Sequence, residues 1–289
     1  MKIQPYWTKG TYEGTDAKGR AHEFQAYGWS FTSAAEARQD AEARARRVFE
    51  WWNTCDPREL GPYPYPERPL REEIIERIGD PAAPHALITR NSYGALFLNT
   101  ADALFVDVDF PPVRSRGVLE GLCALFSASA REKRRQAVVD ETVAGVERWA
   151  ELHRARSFRL YRTHAGLRLL FTDKLYDPKS DETLATLQEL KADPLYVQLT
   201  RKQECFRARL TAKPWRCACP RPPAGYPWAD AEAEKTFRLW ARDYTKLAAQ
   251  YRACELLREW GRAADLPVLR AVIAAHDHGA NVASAVPLA

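Results

Sequence analysis

From residue 104 to 110 the chain reads Leu-Phe-Val-Asp-Val-Asp-Phe, an apolar run broken by two carboxylates two residues apart. Alternation of this kind predicts a strand, because successive side chains of extended backbone leave on opposite faces. Asp107 and Asp109 then share a face with Phe105, while Val106, Val108 and Phe110 share the other. Two ionised carboxylates side by side repel, so the acidic face needs a cation, either a divalent metal ion or arginine. Mg²⁺ commonly takes one or two carboxylates and completes its shell with substrate phosphates.

The pattern on either side divides the chain further. Residues 1–31 carry Tyr6, Trp7, Tyr12, Phe24, Tyr27, Trp29 and Phe31 with glycines at 10, 14, 19 and 28, which predicts a hairpin. Ser33-Ala34-Ala35-Glu36 has capping-box spacing and opens a helix to about residue 52, its buried end at Val48, Phe49, Trp51 and Trp52. Five prolines between 56 and 70 mark a linker or surface loop. A short helix is expected over 71–78, stopped by Gly79-Asp80-Pro81, and three strands at 85–89, 93–99 and 103–110.

The region 114–153 reads as helical, at least from residue 130, with Val138, Val139, Val143, Val146, Trp149 and Leu152 at helix spacing. Strands at 157–163 and 167–172 flank the tight turn His164-Ala165-Gly166. A helix at 180–192 and a helical turn opened by Asp193-Pro194 precede a strand at 205–210, where basic residues alternate with small or apolar ones. Beyond Pro220-Arg221-Pro222-Pro223 the composition changes. One long helix or two are expected over 230–262, and a last helix over 266–275.

From 103 to 210 this order is β-α-β-β-α-β, an RRM/ferredoxin-like core in which an antiparallel sheet carries helices on one face. The fold class is therefore α+β, with an N-terminal α/β extension of hairpin and helices (1–84), the core (85–220) and C-terminal helices (221–289). Alternation sends Val106, Val108, Phe110, Leu167, Leu169, Phe171, Phe206, Ala208 and Leu210 to the helices. It sends Asp107, Asp109, Arg168, Arg207 and Arg209 to the open face, joined by Arg159 or Arg162 according to register. Guanidinium forks beside carboxylates suit a di- or triphosphate, with a metal ion on the acids.

Composition changes this picture little. Hydrophobic residues make up 46% of the 289 and charged residues 28%, the profile of an ordinary globular protein. No apolar run approaches the roughly 18 residues of a membrane span, and the first residues lack the apolar stretch of a signal peptide, so a cytoplasmic location is expected. A net charge of +5 permits a nucleic-acid or nucleotide partner without demanding one. Cys217-Ala218-Cys219 is too little for a zinc site by itself, although Cys205, His276 and His278 are conceivable further ligands. Free thiols fit better. His276-Asp277-His278 reads as incidental near a fraying terminus.

The core, with Asp-Val-Asp closing its first strand, resembles the archaeo-eukaryotic primase (Prim-Pol) superfamily. The run Arg162-Thr163-His164-Ala165-Gly166-Leu167-Arg168-Leu169-Leu170-Phe171 is similar to that family's second motif, with Arg168 where the family carries histidine and His164 four residues earlier. Asp193, followed by Phe206-Arg207-Ala208-Arg209-Leu210-Thr211-Ala212-Lys213-Pro214, is similar to the third. The resemblance covers about 103–216. It implies a nucleotidyltransferase of DNA replication or repair in which Asp107, Asp109 and Asp193 are catalytic and hold Mg²⁺ or Mn²⁺. Arg162, His164, Arg168, Arg207, Arg209 and Lys213 would bind a nucleoside triphosphate and single-stranded nucleic acid. From the residues alone, Asp193 before a proline is also an ordinary helix N-cap, Glu204 is a rival third carboxylate, and Arg216 can reach a phosphate. The alternatives are a non-catalytic nucleic-acid-binding or interaction module on the same core, or a metal-dependent phosphohydrolase.

Overall fold

The computed structural model describes residues 1–54, 69–112 and 128–289. Its N-terminal unit is a hairpin of β1 (Tyr6–Thr15) and β2 (Ala21–Ser30) covered on one face by α1 (Ala34–Thr54). Glycine makes that packing close. A Cβ on Gly28 would lie 2.1 Å from the Ala41 nitrogen, and one on Gly10 would lie 2.7 Å from the Ala41 carbonyl carbon. Alanines 37, 41 and 45 present the matching smooth stripe on α1. The expected capping box is half formed: the Glu36 N–H donates to Ser33 Oγ, while the Glu36 carboxylate turns to the hydroxyls of Ser30 and Thr32. Trp51 and Trp52, expected at the buried end of the helix, are exposed. The prolines at 57, 62, 64 and 66 and residues 114–127 of the expected helical region lie outside the described residues.

The body holds two four-stranded antiparallel sheets. The first is ordered β3-β4-β5-β9, from Glu73–Gly79, Pro84–Arg90, Leu96–Thr100 and Phe206–Arg209. The second is ordered β10-β7-β8-β6, from Cys254–Trp260, Phe158–Thr163, Gly166–Phe171 and Phe105–Asp109. The remaining helices are α2 (Ala128–Leu152), α3 (Asp181–Glu189), α4 (Pro194–Gln203), α5 (Ala231–Ala248) and α6 (Pro267–Gly279). The α+β class therefore holds, with antiparallel sheets and six α-helices among the described residues.

Three expectations are corrected. Residues 73–79 are a strand, not a helix: in a seven-residue run the isoleucines 74, 75 and 78 fit either period, and pairing with β4 decides. Residues 254–260 are likewise a strand. There the outer edge of β7 takes them up, and Trp260 stacks on Phe158 with ring centroids 4.9 Å apart. The strand at 205–210 does not hydrogen-bond to β6; it completes the first sheet beside β5, with Arg207 opposite Asn99 and Arg209 opposite Phe97.

The face assignment within the second sheet holds. Val108, Leu167, Leu169 and Phe171 are buried on the side of α2, where Trp149 meets the rings of Phe158 and Phe171. The opposite face is not open at its centre, because α6 lies across it. The His276 ring sits 5.3 Å from that of Phe105 and 4.8 Å from that of Tyr161. Tyr161 donates to Asp277 at 2.8 Å, and Arg159 pairs with Asp277 at 3.1 Å. The same helix lies against β3, β4 and β5, so one apolar core joins both sheets. His276 is thus fully buried rather than frayed, and the last residues dock through a bridge between Arg252 and Leu288.

Two outcomes are expected. Gly28→Ala overpacks the hairpin–helix junction and should cost about 1–3 kcal/mol in urea denaturation. Burial holds the His276 imidazole below its ordinary 6.5. The unfolded chain therefore binds the proton first, and stability present above pH 6.5 is lost as pH falls through the lowered folded value. The urea midpoint should drop between pH 7.5 and 5, and His276→Gln should flatten that slope. His164, shifted the same way, adds to the residual slope.

Candidate functional site

The two sheets meet edge to edge, β9 beside β6, without a ladder between them. Two side chains close the seam. The Tyr196 hydroxyl, from α4, donates to the Phe105 carbonyl at 2.9 Å and accepts from the Arg207 N–H at 3.4 Å. Arg168, from β8, reaches across Asp107, its register partner on β6. Its Nε and Nη2 donate to the two Asp107 oxygens at 2.7 and 3.0 Å, and its Nη1 donates to the Arg209 carbonyl at 2.9 Å. Arg168 is 3% exposed. Burial works against its charge, and the Asp107 carboxylate outweighs burial, so the guanidinium is held above its ordinary pKa.

This geometry redistributes the predicted residues. Asp107 and Arg168 do share a face, as alternation requires, but they neutralise each other there. Arg207 points to the buried Glu72, whose two oxygens accept from its Nη2 at 2.8 Å each, in a network with Thr89 and Asn99. It offers no free fork to a phosphate. Arg162 falls on the other face of the second sheet, in step with Leu160 and Phe158; Arg159 is the strand's arginine on the acidic face, and Glu259 and Asp277 neutralise it. Asp193 caps α4, accepting from the Tyr196 N–H at 2.9 Å. Glu204 is engaged elsewhere by Lys2 and Lys179.

What remains gathers at the rim of the seam. Asp109 ends β6, exposed and without a hydrogen bond or ion pair among the described residues. Partial burial, then the charges of Asp193 and Asp107, raise its carboxyl above the ordinary value, with Lys213 opposing them. Asp109 is thus within electrostatic reach of the other two expected carboxylates. Beside them lie cations that repel one another. Lys213 is lowered by burial and by Arg209 and Arg216. Arg209 is lowered by burial and by Arg168, and among the described residues its side chain finds only the backbone oxygens of Thr211 and Ala289. In the turn between β7 and β8, His164 is lowered by burial and then by Arg216, Arg209, Lys213 and Arg135.

The turn Lys213-Pro214-Trp215-Arg216, a single 3-10 turn after β9, supplies the aromatic component. Trp215 is 59% exposed. Its ring lies 5.3 Å from that of Tyr93, and the Lys213 ammonium sits 5.4 Å over it. Sequence reasoning overlooked Trp215, although a tryptophan between two cations on a proline turn is a visible signal. Tyr93 comes from the β4–β5 turn and had no local mark.

The donor set does not fit a two-metal centre. Both Asp107 oxygens are held by Arg168, one Asp193 oxygen is held by a backbone N–H, and no group of three or more His, Cys, Asp or Glu converges on a metal-sized point among the described residues. Cys217 and Cys219 are buried beside Trp240 and Tyr244 in a small apolar cluster. No helix among the described residues is long and apolar enough to cross a membrane.

No family model matches the chain, and neither the curated proteins nor the solved structures contain a significant match to it. Because Asp109 sits raised among like charges, Asp109→Asn is expected to leave folding stability unchanged or to raise it by less than about 1 kcal/mol in urea denaturation. A clear loss would mean that the carboxylate has a structural partner.

Proposed function

We propose that the rim binds single-stranded nucleic acid through its phosphates. One observation carries this reading: Lys213, Arg209 and Arg216 crowd together with no ion pair among the described residues, whereas Arg159, Arg168 and Arg207 are all neutralised. Unpaired cations held close despite mutual repulsion favour a polyanion that relieves it. The exposed Trp215 beside Tyr93 offers a surface on which an unpaired base can stack, worth about 1–3 kcal/mol per base. The core supports the same reading. An RRM-like core would set β9 beside β6, and the nearness of these two strands across the seam is what speaks for it.

A second reading rests on the acids. Asp109, with both oxygens free among the described residues, and Asp193, with one oxygen committed to its cap, could share a single Mg²⁺ or Mn²⁺ with the phosphates of a bound nucleoside triphosphate, as one or two carboxylates commonly do. This is the primase-like nucleotidyl-transfer reading. In it Asp107 orients Arg168 rather than ligating metal.

Fluorescence anisotropy with a short labelled single strand separates the two. Lys213→Glu together with Arg216→Glu should weaken binding by about tenfold or more and flatten the salt dependence by roughly two phosphates' worth. Trp215→Ala should weaken it about five- to a hundredfold. Asp109→Asn should preserve or slightly strengthen it. Unchanged affinity in all the cation and tryptophan variants would refute the binding reading. Mn²⁺-dependent nucleotide incorporation that Asp109→Asn and Asp193→Asn abolish, with binding intact, would establish the second.

A further inference from the structure

Among the described residues, nothing covers the outer edge of β1 in the N-terminal unit. A two-stranded sheet has no central strand, so both β1 and β2 present a free row of backbone groups. Which groups face outward follows from the ladder. The Asp16 N–H donates to the Arg20 carbonyl at 2.9 Å, which makes that pair a hydrogen-bonded one, and pairs alternate from there. Gly14, Tyr12, Gly10 and Thr8 therefore bond inward to β2. Thr15, Glu13, Thr11, Lys9 and Trp7 direct their N–H and C=O groups away from it. Trp29, opposite Trp7, confirms the parity, because its N–H is free of the ladder and donates to the Asp40 carboxylate at 3.1 Å.

Both edges carry outward backbone groups without a partner among the described residues, and they differ near one end. That contact from Asp40 caps the end of β2, and Arg71 lies 3.7 Å over the Tyr27 ring farther along. On β1 the outward backbone groups of Lys9, Thr11 and Glu13 have no partner among the described residues, and all three side chains are exposed. The strand runs ten residues with no proline and no register break. Natural edges of that length are usually blunted. A lone lysine would serve, but here the pattern around it is self-complementary.

We propose that β1 is a docking strand for a second copy of this chain, antiparallel to the partner's β1 about a two-fold axis at Thr11. That register pairs the outward-bonding residues with one another, as an antiparallel ladder requires. Lys9 then stands opposite the partner copy's Glu13, and Glu13 opposite the partner copy's Lys9. Thr11 faces its own equivalent, and Trp7 faces the threonine at position 15. Opposite charges and paired threonines are favourable cross-strand neighbours. On the helix side, Gly10 falls opposite the partner copy's Tyr12. Tyr12 is half-buried here, its ring 5.4 Å from that of Phe49. The product is a four-stranded sheet, β2-β1-β1-β2, with both α1 helices on one face. No contact from the seam site is needed, so the proposal stands apart from the function proposed above.

Sedimentation equilibrium of the full chain tests it. The wild-type protein should dimerise. Lys9→Glu places like charges opposite each other at both symmetric positions and should weaken the dimer at least tenfold. Glu13→Lys should do the same, and the double variant K9E/E13K should restore it. Thr11→Pro removes an N–H that points outward, so it should abolish dimerisation while circular dichroism and the urea midpoint stay near wild type. A wild-type monomer at every concentration would overturn the proposal. So would a dimer indifferent to K9E and T11P, or one that the charge swap fails to rescue.

Discussion

A single guanidinium holds the body of this protein in register. Arg168 binds both oxygens of Asp107 on its own sheet and the carbonyl of Arg209 on the neighbouring one. Without that bridge and the Tyr196 hydroxyl beside it, β6 and β9 would be two buried edges with backbone groups unsatisfied, each costing about 1–3 kcal/mol. Helix α6 seals the seam from one side. Its His276 and Asp277 pack on the same sheet face as Arg168, and its apolar residues Leu269 and Val272 belong to the core that both sheets share.

The seam also explains the charge at its rim. Three arginines that the alternation places together are neutralised internally: Arg168 by Asp107, Arg207 by Glu72, and Arg159 by Asp277 with Glu259. The cations beyond the end of the sheets, Lys213, Arg216 and the side chain of Arg209, have no carboxylate side chain as partner among the described residues. The fold thus separates neutralised guanidinium groups from half-buried ones without an acidic side-chain partner within a few residues of each other. The acids divide the same way, Asp107 held by Arg168 and Asp109 without a partner among the described residues.

How much of this was legible follows from what local pattern can encode. The Asp-Val-Asp strand, the hairpin around His164 and the N-cap at Asp193 are set by neighbours in sequence, and all three form where alternation and turn chemistry place them. The strand at 254–260 and the partner of β9 are decided by distant edges, so helix-compatible spacing around Leu256 and Trp260 misled. Glu72, the partner of Arg207, fell in a segment read as the start of a helix. His276 was dismissed by its nearness to the terminus, yet residues 280–289 return to dock beside Arg252. Burial of a face by a later helix leaves no mark on the strand itself, which is why the acidic face read as open.

The central claim is that Arg168 and Asp107 act as one structural unit, and a double-mutant cycle measures it directly. Urea denaturation of Asp107→Asn, Arg168→Met and the double variant yields their coupling energy. The account predicts a large loss for Asp107→Asn, which strands a buried guanidinium, and a coupling of at least about 2 kcal/mol, so that the double variant loses much less than the two single losses added. Additive losses would show that the two side chains are independent and that something other than this pair holds the sheets together.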